Sequence, residues 1–248
     1  MSLSLSVIIP IYNSKNTIVS TVERLVDVLN EAHLSYEIVL RDDASRDGSQ
    51  EVLKDVSLKY PQVKCFSNAT NQGLGATLRQ LFEKAKGEYL IYTDCDLPFG
   101  ADIFPFLFKK AQYHDIVVLS RYRGLANHVR FIRKIFSRIY FFLCWLLFRI
   151  PVIDIGSGTV SIRKNILERL DLKAQGFDIH LELFLRAKEQ GLSIEEIPAQ
   201  ADKHSSPGSF KLLQHGPRIA ASTLKLWFDY LSRKCFASQK KRQDKKID

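Results

Sequence analysis

The chain has no cysteine spacing that would hold a metal or a disulfide framework. Its four cysteines, Cys65, Cys95, Cys144 and Cys235, stand far apart with no CxxC pair. That excludes a zinc module and fits a reduced, cytoplasmic protein. A long apolar run is also missing. The longest, Ile139 to Phe148, covers about ten residues between Arg138 and Arg149, whereas a spanning helix needs roughly twenty. Met1–Leu5 has neither the basic nor the apolar region of a secretory leader, so none is expected, and Val7-Ile8-Ile9 reads as a first core strand. No internal repeat or low-complexity segment precedes the Lys-rich end, which excludes a repeat architecture.

Acidic residues are absent from one stretch altogether. Residues 121–150 carry 7 Lys+Arg and no Asp or Glu, and residues 203–248 carry 11 against 3. The rest leans the other way, with 12 against 15 over residues 1–120 and 6 against 9 over residues 151–202. The formal charge of +9 therefore sits in two blocks, both rich in leucine and aromatics. An anionic membrane surface suits such interleaving better than nucleic acid does, because bulky apolar side chains separate the cations. A solvated basic face is the plainer alternative.

At 248 residues, 46% of them apolar, the chain can build one large α/β domain with a short appendage. Strand signals at Leu5–Ile9, Tyr36–Leu40, Val63–Phe66, Glu88–Tyr92, Asp115–Leu119, Gly156–Ile162 and Ser193–Ile197 alternate with helical spacing at 16–30, 50–60, 74–85 and 178–190. Strands separated by single helices predict a mostly parallel, doubly wound sheet flanked by helices. Arg130 to Arg149 reads as an interfacial helix, basic in its first two turns and apolar nearly all round later. Leu212–Phe236 reads as a second amphipathic helix, and 237–248 as a basic, disordered tail.

Thr93-Asp94-Cys95-Asp96-Leu97 follows the apolar run Glu88–Tyr92. Strand side chains alternate, so Asp94 and Asp96 point the same way at the carboxyl end of a strand. Open α/β sheets bind ligands there. Two hard oxygen donors suit Mg²⁺ or Mn²⁺ carried by a nucleotide diphosphate. A turn or a helix cap uses the same residues.

The ordered motifs Val7-Ile8-Ile9-Pro10-Ile11-Tyr12-Asn13, Asp42-Asp43-Ala44-Ser45-Arg46-Asp47-Gly48, Asn71-Gln72-Gly73-Leu74-Gly75-Ala76, Thr93–Leu97, Ser120-Arg121-Tyr122, Asp154–Gly158, Gly176–Leu183 and Glu196-Ile197-Pro198 carry a resemblance. From about residue 5 to 211 the chain resembles the inverting glycosyltransferases of GT-A fold (family 2 type), particularly the polyprenyl-phosphate or dolichyl-phosphate mannosyl- and glucosyltransferases. The resemblance implies a catalytic domain over 1–211 that includes the interfacial helix at about 130–149. It also implies transfer of a hexose from a GDP-mannose- or UDP-glucose-type donor to a polyprenyl phosphate, on the cytoplasmic face of a membrane. Many relatives carry spanning helices after this domain. Here amphipathic helices, or a membrane-anchoring partner, would take their place.

By the same resemblance Pro10, Tyr12, Asn13, Asp42 and Asp43 hold base and ribose, with Gly73, Gly75 and Cys95 completing the nucleotide-sugar site. Asp43 with Ser45 and Gly48 is also a good turn, and Gly73-Leu74-Gly75 serves equally for ligand approach or tight packing. Asp94 and Asp96 hold the divalent cation that neutralises the leaving diphosphate. Some family members add a metal-ligating Gln two residues on, where Pro98 stands here. Asp94, Asp96 and Arg121 are the expected catalytic residues. Arg121, Arg133, Ser137, Lys203 and Lys211 are expected around the acceptor phosphate, with His204 and Ser209 nearby. Ala44 replaces the family's usual Gly. A hydroxyl acceptor would need a base instead, and Asp178 or Glu182 would be the residue to suspect. A third reading keeps the fold without catalysis, as a membrane- or nucleic-acid-binding protein.

Overall fold

The computed structural model describes residues 3–123, 131–202 and 212–244. All seven expected strands form, in one sheet: β1 (Leu5–Ile11), β2 (Tyr36–Asp42), β3 (Val63–Ser67), β4 (Tyr89–Thr93), β5 (Ile116–Ser120), β6 (Thr159–Arg163) and β7 (Ile194–Pro198). Their order is β3-β2-β1-β4-β6-β5-β7. Pairings β1–β2, β1–β4, β2–β3 and β5–β7 are parallel, while β6 runs antiparallel to both β4 and β5. Strand direction leaves no trace in hydrophobic periodicity, so the reversed β6 was not readable from its sequence. Its start also moves from the expected Gly156 to Thr159, because Ser157 N–H closes a turn on the Asp154 carbonyl at 3.0 Å.

Helices α1 (Lys15–Glu31), α2 (Ser49–Lys59) and α4 (Phe104–Ala111) cover one face. Helices α3 (Leu74–Lys84), α5 (Phe131–Phe148), α6 (Lys164–Leu167), α7 (Ile179–Glu189) and α8 (Leu212–Asp244) lie on the other. Burial on both faces explains why β1 reads as a continuous apolar run rather than an alternating one. Val7 and Ile9 enter the core under α1 and α4, and Ile8 enters the core under α3 and α7. Helix α4 was not expected from the sequence. Helix α8 extends to Asp244, past the expected end at Phe236. Lys, Gln, Arg and Ala are good helix formers, and no Gly or Pro interrupts that stretch.

Register fixes what the site is built from. Ile11 pairs with Asp42 and Ile8 with Tyr92, so the carboxyl ends of β1, β2 and β4 open on the same edge. Between β2 and α2, Ala44 occupies φ +58°, a left-handed conformation that costs a non-glycine residue about 1–2 kcal/mol. His180, one residue into α7, is buried with its ring stacked on Tyr92 at 5.2 Å. Burial pulls its pKa down from 6.5 to about 4, against a weaker upward pull from Asp154.

Two measurements follow from these strained groups. Ala44→Gly relieves the left-handed strain and loses part of the gain to unfolded-chain entropy, for a net stabilisation of about 0.5–1 kcal/mol in urea titration. The unfolded chain protonates His180 near 6.5 whereas the fold refuses the proton until about 4. Stability therefore falls as pH drops through that window. Between about pH 7 and about pH 5 the loss from this group is on the order of 2 kcal/mol, and His180→Phe removes that part of the pH dependence.

Candidate active site at the carboxyl ends of the strands

Strand β4 ends at Thr93 and delivers Asp94 and Asp96, both half-buried, to the sheet edge. Cys95 between them lies in the turn that follows β4. It is buried against α1, its Sγ 3.4 Å from Thr17 Oγ1 and its carbonyl accepting from the Thr21 hydroxyl. Burial pushes its thiol up to about 11. The expectation that Cys95 helps to hold the donor is therefore not met by its side chain, which contacts the helix.

Asp94 is held from two sides. Its N–H donates to the Gly158 carbonyl at 3.0 Å, and its Oδ1 accepts from the Tyr92 hydroxyl at 2.6 Å. Burial and the neighbouring Asp94 charge raise the Tyr92 pKa well above its ordinary value, so the phenol is the donor. Gly158 is required here because a Cβ would overlap the Asp94 carboxylate and lie 3.0 Å from Pro98 Cγ. Leu97 then takes φ +45°, and its N–H returns to the Asp94 carbonyl at 3.0 Å.

On the expected donor side, Pro10 is half-buried within β1, and Tyr12 and Asn13 are exposed just beyond it. Asn13 couples the first loop to the second. Its N–H donates to Ser45 Oγ at 2.8 Å and its Oδ1 accepts from Arg46 N–H at 3.0 Å. Asp42 is buried at the end of β2 and accepts from Ser45 N–H. Asp43 is also buried, and its carboxylate accepts from Asn68 Nδ2, Gln72 N–H and Gly73 N–H at 2.8–2.9 Å. That carboxylate fastens the loop before α3. Gly73 and Gly75 pack tightly against backbone. A Cβ on either would meet the carbonyl oxygen of Gln175 or Ala174 at 2.7 or 2.6 Å, and Gly75 N–H donates to Gln175 O at 2.8 Å. The packing alternative accounts for both glycines.

On the expected acceptor side, Arg121 follows β5 and is largely buried. Its Nε and Nη2 donate to the two oxygens of Asp154 at 2.9 Å each, and Nη2 also donates to the Gly156 carbonyl at 2.7 Å. Burial works against its charge, yet the Asp154 carboxylate outweighs this and holds the guanidinium above its ordinary pKa. Its donors toward Asp154 and Gly156 are thus committed to the loop that carries Gly158. Ser137 lies on α5 and shares a 2.7 Å hydrogen bond with Tyr122, next to Arg121. The Arg133 side chain, and Lys203, His204, Ser209 and Lys211, lie outside the described residues.

Glu182 is buried at 3% exposure and accepts from Lys173 N–H and Ala174 N–H at 2.8 and 2.7 Å, with Arg186 at 3.4 Å. It secures the segment on which Gly73 and Gly75 rest, which is a structural use and a poor one for a base. Asp178, half-buried before α7, accepts from Gly176 N–H at 3.2 Å and is the remaining candidate. Four residues that shape this edge had no role assigned from sequence: Tyr92, Asp154, His180 and Glu196. Only Tyr92 carried a usable signal, being two residues before Asp94 on the same strand face.

The profile of glycosyl transferase family 2 matches residues 6–171. A dolichol-phosphate mannosyltransferase of Pyrococcus furiosus is 30% identical over 203 residues, 79% of this chain and 56% of that protein. The dolichol-phosphate mannosyltransferase of Saccharomyces cerevisiae is 28% identical over 208 residues, 80% of this chain and 77% of that protein. The chain thus spans little more than half of the archaeal relative's length. The crystal structure of glucosyl-3-phosphoglycerate synthase from Mycobacterium tuberculosis, in complex with Mn²⁺, UDP-glucose and phosphoglyceric acid, superposes with a TM-score of 0.68 at 16% identity, covering 90% of this chain and 79% of that one. A GT-A-like sheet with a carboxylate pair at its open edge and a family profile over most of the chain lead to one assignment: the chain belongs to glycosyl transferase family 2.

Proposed function

We propose that the protein is an inverting glycosyltransferase that moves a hexose from a nucleotide sugar of the GDP-mannose or UDP-glucose type to a polyprenyl phosphate at a membrane surface. The observation that carries this reading is the half-buried Asp94/Asp96 pair, brought by β4 to the edge where β1 and β2 also end. The relatives named dolichol-phosphate mannosyltransferase support the acceptor class.

The donor set fits a hard divalent cation, Mg²⁺ or Mn²⁺. Asp94 and Asp96 supply carboxylate oxygens, and Gly158 leaves room for the Asp94 carboxylate. Among the described residues no group of three His, Cys, Asp or Glu could hold a metal, so diphosphate oxygens would complete the shell, as Mg²⁺ commonly prefers. When bound, the cation supplies charge neutralisation for the leaving nucleoside diphosphate. Tyr12 and Asn13 would border the base, with Asp42 behind them. Arg121, through Asp154, keeps the Gly158 loop over the carboxylates.

A lipid phosphate is already an anion near neutral pH and needs orientation rather than a base. The burial of Glu182 and its bonds to backbone N–H groups agree with that. Helix α5 links lipid and site. Ser137 joins it to Tyr122 beside Arg121, while Ile135, Phe136, Ile139, Phe142, Trp145 and Leu146 are exposed along it. Arg138 interrupts this apolar band and Arg149 follows it, stacking over Trp145 at 4.2 Å. Among the described residues no helix is long and apolar enough to cross a membrane. An interfacial seat on the cytoplasmic leaflet, alone or with an anchoring partner, fits this surface. A hydroxyl acceptor is the second reading, favoured by one feature: Asp178 stays partly exposed at the start of α7.

Purified protein with Mg²⁺ or Mn²⁺ and labelled GDP- and UDP-sugars, offered with and without polyprenyl phosphate, tests both readings. Lipid-dependent label in the organic phase is expected, reduced about a hundredfold or more by Asp96→Ala. Asp178→Asn lowers transfer to lipid phosphate less than about tenfold. A hydroxyl acceptor would instead lose roughly a hundredfold or more with the base. For the membrane seat, the double change Phe142→Glu and Leu146→Glu should abolish sedimentation with anionic vesicles and leave donor binding intact.

A further inference from the structure

Tyr92 stands next to the end of β4, and Asp94 follows the strand directly, ahead of the turn closed by Leu97 N–H on the Asp94 carbonyl. Tyr92 is 5% exposed and belongs to the apolar cluster that includes Leu78, Leu90, Val160 and Leu183. Phenylalanine would fill that volume with no polar atom to satisfy. A buried hydroxyl without a partner is costly, and here the partner is Asp94 Oδ1 at 2.6 Å. The ring has little freedom to swing. His180 stacks on it at 5.2 Å with 30° between the planes, and Tyr92 pairs with Val160 in the β4–β6 ladder. On the opposite side of the carboxylate, Gly158 leaves only the space that Asp94 fills.

We propose that Tyr92 is a positioning residue, which holds the Asp94 carboxylate in one orientation for the divalent cation of the bound nucleoside diphosphate. The proposal rests on the metal-dependent reading above and adds to it a reason why two carboxylates suffice. Pro98 offers no side-chain ligand, so the protein's share of the metal shell is small. A small share binds well only when it is already oriented, because partners outside the ligand shell commonly change metal affinity ten- to a hundredfold. The phenol provides that orientation from within the core. Its hydrogen bond to a carboxylate oxygen is of the stronger, charge-assisted kind.

The test titrates Mn²⁺ into the full-length protein with saturating GDP or UDP and no acceptor, reading free Mn²⁺ by its electron paramagnetic resonance signal. Tyr92→Phe is expected to weaken Mn²⁺ binding by about ten- to a hundredfold. Its melting temperature and its metal-free affinity for the nucleotide should stay near those of the wild type, a combination that a merely structural tyrosine would not produce. Replacing Tyr92 by 4-aminophenylalanine restores an N–H donor and should recover binding to within about threefold, whereas 4-fluorophenylalanine, which donates nothing, should not. That second pair keeps the test decisive if the phenylalanine variant folds poorly. Wild-type-like Mn²⁺ affinity in both non-donating variants would overturn the role of Tyr92 and leave the metal reading standing. A wild type that binds no Mn²⁺ with either nucleotide would overturn both.

Discussion

The site depends on one buried ion pair. Arg121 and Asp154 meet in a bidentate geometry with almost no exposure on the carboxylate side. Asp154 in turn is placed by Glu196, which accepts from the N–H groups of Ile153 and Asp154 and from Arg123. The segment between α5 and β6 has no regular structure of its own, so apolar packing alone would leave its height above the sheet undetermined. Ionic groups with directional bonds fix it. Breaking such a pair by removing one partner typically costs 3–5 kcal/mol, roughly, because the other charge stays buried. Here the consequence would also be local to function, since this segment carries Gly158 and Gly158 abuts Asp94.

Carboxylates around the sheet edge divide into two kinds. Asp43, Glu182 and Glu196 are buried and accept from backbone N–H groups of other segments. Asp94, Asp96 and Asp178 are half-buried at the open edge. A buried carboxylate bonded to backbone amides is a substitute for secondary structure in loops, where amides lack regular partners. That is why so acidic an edge can be rigid. Asp43 fastens the loop before α3 and Glu182 the Ala174–Gln175 segment beneath it, so both are held by carboxylate-to-amide bonds.

This division marks the limit of what the sequence made legible. Strands β1, β4 and β5 were readable because two-sided burial leaves continuous apolar runs, and the delivery of Asp94 to the strand end was readable from its place just after β4. Gly73 and Gly75 were ambiguous for a physical reason. Absence of a Cβ serves a ligand's phosphate and a neighbouring backbone alike, and only the fold brings Gln175 against them. Glu182 was ambiguous in the same way, since a helix carboxylate looks identical whether it faces an acceptor or caps a distant loop. Tyr92 offered one signal only, its position two residues before Asp94. Among Leu90, Ile91 and Thr93 it reads as one more strand aromatic, and its hydroxyl acquires meaning only once Asp94 is seen within reach.

Helix α5 raises a different constraint. It buries Cys144 and Phe148 near its end and touches α8 through Tyr140 and Thr223 at 3.1 Å, while Ile139 and Phe142 are 58% and 59% exposed. A contiguous apolar band of this kind is a liability in water unless something covers it. Helix α8 adds exposed Leu224, Phe228 and Leu231 among basic residues. On the reading proposed above, a lipid-borne acceptor would resolve the liability and use it. The same helix that presents Phe142 and Leu146 outward presents Ser137 to Tyr122, so a phosphate arriving along the membrane surface would meet the site at the helix's polar end. Burying the tail of such an acceptor and orienting its head would then be one event.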